Sequence, residues 1–144
     1  AEKKRDKIDY MWRDVQRRAN FYGFDAKIPA PYPLKEFDLA NKVAIMGKDQ
    51  GWIKEYTILT YKKWFLEHLE PGSEPNLSST LEEIGLDAKN VIKQAQADDI
   101  EQKYLKNTEM AKNKGVFGSP TFIVENEVFW GDDRCEDAIK WLLK

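Results

Sequence analysis

The stretch GVFGSPTFIVENEVFWGDDR, residues 115–134, holds the residues whose types and order point to chemistry. Pro120 follows Gly118 and Ser119 and precedes the apolar run Thr121 to Val124. A proline at the first position of a strand has no N–H to give to a ladder, and an X–Pro bond at such a turn is a place where a cis peptide is fixed. A cis Ser119–Pro120 bond would turn the N–H and carbonyl of Ser119 toward solvent, where an extended peptide can pair with them as an added strand. The plainer alternative is a proline that simply begins a strand. Beyond the second strand, Asp132 and Asp133 stand where a helix opens. A helix start presents N–H groups and a positive dipole end that suit a carboxylate, while an aspartate beside them suits an ammonium. Together they would hold the zwitterionic end of an amino acid. The alternative there is an ordinary N-cap, with Arg134 paired to a neighbouring acid.

The chain that must position these groups has 144 residues, enough for one domain with a core. Its 23 basic and 25 acidic residues leave a net charge of -2, so no global field favours nucleic acid or an anionic membrane, and no local basic patch replaces it. Neither is expected as a partner. Five Trp, six Tyr and seven Phe are too many aromatics for a disordered tail. Cys135 is the single cysteine, which excludes an intramolecular disulfide and a Cys-x-x-Cys pair within these residues and fits a reducing, cytoplasmic setting. No run approaches the roughly eighteen apolar residues of a membrane span. His68 is the single histidine and has no ligand-spaced acids around it, so no metal is expected.

Periodicity places the elements. Ile8, Met11, Trp12, Val15, Ala19 and Tyr22 recur at steps of three and four, which predicts one helical face ended by Gly23. IPAPYP then enforces an extended segment. Further helices are expected from Leu34 to Met46, stopping at Gly47, and from Trp52 to Leu69, stopping at EPGSEP. Two short helices follow, the first capped by Asn76 and ended by Gly85, the second capped by Asp87. Another starts at Asp98 or Asp99 and runs to Ala111. After Gly115 the period changes to two strands, Thr121 to Val124 and Val128 to Trp130, in a tight hairpin around Asn126. A last helix is expected with Asp132 or Asp133 as N-cap and Cys135, Ala138, Ile139, Leu142 and Leu143 as its inner face.

The order GVFGSPTFIV, EVFWGDDR and a closing helix, after a helical block, resembles the DsbA-like branch of the thioredoxin superfamily. Within it the chain looks most like the 2-hydroxychromene-2-carboxylate isomerases and the related kappa-class glutathione transferases. YMWRDVQRRANFYGF and PAPYPL are similar to that family's long helix and proline-rich re-entry, and IGLDAKNVIKQA to its helical insertion. The resemblance implies an α/β, thioredoxin-like (DsbA-like) fold with a large helical insertion, here mostly helical with a C-terminal β-hairpin and helix. It divides the chain into residues 1–33 and 114–144 of the thioredoxin-like domain and an insertion over 34–113.

The same resemblance implies glutathione as the cofactor. It makes Pro120 the cis-proline and Ser119 the residue whose backbone pairs with the cysteinyl part of glutathione. Asp132 and Asp133 match the dipeptide that holds the γ-glutamyl end, where the family often has Ser at the first position. The implied activity is isomerisation of a small aromatic or unsaturated substrate by reversible thiolate addition. A kappa-type transferase, a DsbA-type thiol-disulfide oxidoreductase and a non-catalytic binding module are the alternatives. In the family a strand, a helix and a second strand precede the long helix, and the first turn carries a serine facing the glutathione sulfur. Residues 1–20 hold no counterpart of that Ser-Pro-Tyr type turn. The catalytic serine is therefore expected upstream of Ala1, and the chain reads as a fragment or a shortened relative. A sheet reduced to two strands would expose an apolar edge that invites pairing with another chain, a second copy in a homodimer included.

Other candidates have bland readings. His68 suits a general base by its ordinary pKa but lies in a charged surface stretch. Cys135 lies near a helix start yet on the apolar face with acidic neighbours, which favours a buried structural role. Arg13, Asp14, Arg17 and Arg18 read as a solvated face with i,i+4 pairs rather than a pocket mouth. Trp52, Tyr56, Trp64 and Phe65 read first as core and second as an aromatic-lined pocket.

Overall fold

Seven helices and one hairpin form along the chain in a computed structural model, which describes residues 2–144, with side chains from residue 5 onward. Two compact units divide within a helix, Ala1–Glu101 and Gln102–Lys144. Among the described residues no helix is long and apolar enough to cross a membrane.

In the first unit, α1 (Glu2–Phe21) ends just before Gly23, whose φ of 76° is left-handed, as its periodicity predicts. After it come α2 (Phe37–Gln50), α3 (Ile53–Glu67), α4 (Asn76–Glu83) and α5 (Ala88–Ala95), and α6 (Asp98–Asn113) runs across the boundary into the second unit. Val43, Met46, Trp52, Tyr56, Leu77, Leu81, Val91, Ala95 and Ile100 bury one shared core, which satisfies the apolar stripes of these amphipathic helices. Tyr56 lies in it with its hydroxyl donating to the Ala40 carbonyl at 3.1 Å, and burial pushes its pKa up to about 12. Asp87 caps α5 by accepting from the Asn90 N–H at 3.1 Å, as expected.

Three local expectations are corrected. First, α2 begins at Phe37, after Glu36 in the N-cap position, and the Lys35 N–H before it donates to the Glu70 carboxylate. It also runs through Gly47 to Gln50 and closes on Gly51, at φ 88°. Gly47 is a packing residue, not a stop: a Cβ there would lie 2.7 Å from Trp52 Cε3. Second, Asn76 is not a cap. It is the first residue of α4, fully buried, and its amide donates to the carbonyls of Leu69 at 2.7 Å and Thr60 at 3.2 Å while accepting from Thr80 Oγ1 at 3.1 Å. Third, Trp52, Tyr56, Trp64 and Phe65 form two groups. Trp52 and Tyr56 meet edge-to-face at 6.0 Å in the core. Trp64 and Phe65 cluster with Tyr61 and reach the proline-rich segment through Trp64 Nε1 to the Pro31 carbonyl at 2.9 Å.

In the second unit, β1 (Thr121–Val124) pairs antiparallel with β2 (Glu127–Trp130), with Thr121 opposite Trp130 and Val124 opposite Glu127. The second strand thus starts one residue earlier than expected, and the turn is Glu125–Asn126, with Glu125 at φ 56°. A 3-10 turn, Asp132–Arg134, leads into α7 (Cys135–Leu142). The expected inner face of α7 holds only in part. Ala138 is buried and Cys135 half-buried, but Ile139, Leu142 and Leu143 are exposed. Two strands about 4.8 Å apart, each of four residues, are too narrow to cover a helix about 10 Å across.

Candidate functional site

The site grows from the join between the loop before β1 and the turn after β2. Proline's fixed φ and missing N–H suit Pro120 to the position just before the ladder starts at Thr121. The Ser119–Pro120 bond is cis, as are Ile28–Pro29, Tyr32–Pro33 and Glu74–Pro75. The loop is tied on both sides of Ser119. Thr121 Oγ1 donates to the Gly118 carbonyl at 2.6 Å, and the Gly131 N–H donates to the Pro120 carbonyl at 3.0 Å. Ser119 itself is exposed, and among the described residues neither its N–H nor its carbonyl makes a hydrogen bond. A backbone donor and acceptor left open between two tied neighbours are what strand addition by a short peptide requires.

The Gly131 bond brings the acidic turn to the same place, since Asp132 and Asp133 follow directly. Gly131 has φ 122°, and a Cβ there would lie 2.6 Å from Asp133 Oδ1, so the Asp133 carboxylate folds back over it. The other oxygen, Oδ2, accepts from Arg134 at 2.9 Å, and Arg134 also reaches Asp137 at 2.8 Å. Neither aspartate is the N-cap of α7. The 3-10 turn, closed by the Arg134 N–H to the Gly131 carbonyl at 3.2 Å, delays the helix so that its N-cap position is Arg134. Asp132 and Asp133 are both exposed, in the turn that the Gly131 N–H ties to the Pro120 carbonyl, and an exposed carboxylate there is able to take an ammonium group.

The other candidates lie elsewhere. His68 is the left-handed C-cap of α3, with Nε2 2.8 Å from the Lys27 carbonyl. Cys135 begins α7, half-buried. On α1, Asp14 pairs with Arg17 at 3.4 Å, three residues apart rather than four, and Arg13 donates to Gln16 at 2.9 Å. Sequence reasoning passed over Trp130, whose ring lies against Gly118. The hairpin pattern carried the signal, because a two-residue turn between Val124 and Glu127 puts Trp130 opposite Thr121.

Comparison with known proteins bears on the fold and the family. The family profile of the DSBA-like thioredoxin domain matches residues 1–140. A 2-hydroxychromene-2-carboxylate isomerase of Sphingobium xenophagum is 26% identical over 137 residues, 95% of this chain and 69% of the relative. One of Pseudomonas putida is 25% identical over 128 residues, 89% of this chain and 62% of the relative. The chain thus spans 69% and 62% of the lengths of these two curated relatives. A solved 2-hydroxychromene-2-carboxylate isomerase superposes with a TM-score of 0.81 at 25% identity, covering 96% of this chain and 68% of that one.

Proposed function

Because the chain belongs to the DSBA-like thioredoxin domain family, we propose that it carries the tripeptide-holding part of a glutathione-dependent isomerase acting on small unsaturated aromatic carboxylates of the 2-hydroxychromene-2-carboxylate type. The observation that carries this reading is the backbone of Ser119, unbonded among the described residues and held between the tied residues Gly118 and Pro120, with an acidic turn joined to the Pro120 carbonyl through Gly131. The isomerase relatives support the reaction class.

Bound glutathione would supply a thiolate that adds reversibly to an unsaturated carbon, lets the former double bond rotate, and leaves unchanged. The residues of this chain bind and orient. The Ser119 N–H and carbonyl would pair with the cysteinyl backbone and so orient the thiol. Asp132 and Asp133 would take the γ-glutamyl ammonium, with Arg134 paired to the Asp133 carboxylate. Orientation of this kind reduces the entropy cost of the bimolecular step.

Isothermal titration of glutathione into the protein and into Pro120→Ala tests the reading. Alanine restores an N–H and frees φ at the residue next to Ser119, so the variant is expected to bind about tenfold more weakly or worse. No heat with either protein, or equal affinity for both, would sink the proposal.

A further inference from the structure

Trp130 has no role in the reading above, yet it touches the loop that the reading depends on. It closes β2 opposite Thr121, and its indole crosses to the loop before β1. A Cβ on Gly118 would meet Nε1 of that indole at 2.5 Å and Cε2 at 3.1 Å. Gly118 does not have the left-handed φ of Gly131, so what it supplies is space for the ring. On the same side Phe117 packs against Trp130, with ring centroids 5.0 Å apart. Phe117 is 73% exposed and Trp130 55% exposed, so burial in a core does not account for this pair.

These contacts coincide with the backbone ties. Residue 130 places its ring on Gly118, and residue 131 places its N–H on the Pro120 carbonyl. The end of β2 therefore holds both neighbours of Ser119 and leaves the N–H and carbonyl of Ser119 without an internal partner among the described residues. We infer that Trp130 is a positioning residue: through its contact on Gly118 it holds residues 117–120 so that the Ser119 backbone stays presented to an extended peptide. This rests on the glutathione reading and adds a residue to it. A loop released from the ring must be ordered when the peptide binds, and returning the backbone freedom of about one residue weakens affinity by about tenfold.

The test measures glutathione affinity by calorimetry for wild type, Gly118→Ala, Trp130→Ala, the double variant and Trp130→Phe, at a temperature where thermal unfolding shows each to be folded. Gly118→Ala and Trp130→Ala are each expected to lose about tenfold, and the double variant no more than the worse single, because both remove one contact. Trp130→Phe keeps an aromatic ring and should recover part of the loss. If Trp130→Ala does not fold, Gly118→Ala and Trp130→Phe decide alone. Wild-type affinity in Gly118→Ala and Trp130→Phe, or losses that add in full in the double variant, would overturn the inference while leaving glutathione binding intact. Absence of binding by the wild type would instead overturn the glutathione reading itself.

Discussion

Asn76→Ala removes a polar tie that joins α3 to α4. The native side chain is fully buried and makes bonds of 2.7 Å to the Leu69 carbonyl, 3.2 Å to the Thr60 carbonyl and 3.1 Å from Thr80 Oγ1. Truncation strands the Leu69 carbonyl and the Thr80 hydroxyl. A net hydrogen bond contributes about 1 kcal/mol and an orphaned buried group costs about 1 to 3 kcal/mol, so a loss of about 3 kcal/mol is expected. For a chain of this length that is a fall of about 10 °C in melting temperature. Urea unfolding followed by circular dichroism measures it.

Asn76→Asp gives a sharper version of the same test. The carboxylate keeps the shape but loses both donors and faces two carbonyl oxygens. Burial and those oxygens both disfavour its charged form, so its folded-state pKa rises above the unfolded value. As pH rises past the unfolded value of about 3.9, the unfolded state releases the proton first, so the variant loses stability relative to wild type until the folded pKa is passed. A cost below about 1 kcal/mol for alanine, or a difference between Asn76→Asp and wild type that is flat from about pH 4 to 8, would refute the role given to Asn76.

Two further outcomes follow from the same core. Gly47→Ala sets a methyl 2.7 Å from Trp52 Cε3 and 3.1 Å from the Ile53 Cα; overpacking of about 1 to 3 kcal/mol outweighs a helix-propensity gain of about 1 kcal/mol, so denaturant unfolding should show a net loss of about 1 kcal/mol, and a more stable variant would contradict it. Tyr56 keeps its proton up to about pH 12 in the folded state, whereas unfolded tyrosine ionises near 10, so stability falls as pH rises above about 10, and Tyr56→Phe should flatten that fall in alkaline unfolding curves.

Much of the fold is legible in residue order. Steps of three and four place α1 and α3, Asp87 announces its own cap, and the change of period after Gly115 announces the hairpin. Glycine and asparagine are where local rules mislead. Gly47 carries the signature of a helix stop, but its reason is the Trp52 ring five residues on. Asn76 carries the signature of a cap, but its partners are Leu69, Thr60 and Thr80 in the interior. Both signals are short-range, and both positions were settled by tertiary packing.

The candidate site divides in the same way. The order of Ser119, Pro120, Asp132 and Asp133 can be read directly from the chain, because turn chemistry and strand periodicity act over a few residues. Sequence by itself therefore determined that a proline-led strand and an acidic turn flank one hairpin. Tertiary structure alone decided that the end of β2 reaches back over Gly118 and Pro120, and that among the described residues the Ser119 backbone is left open between two tied neighbours. Those facts depend on strand register and on a 3-10 turn, which bring together residues about a dozen positions apart, and local propensity does not encode contacts at that separation.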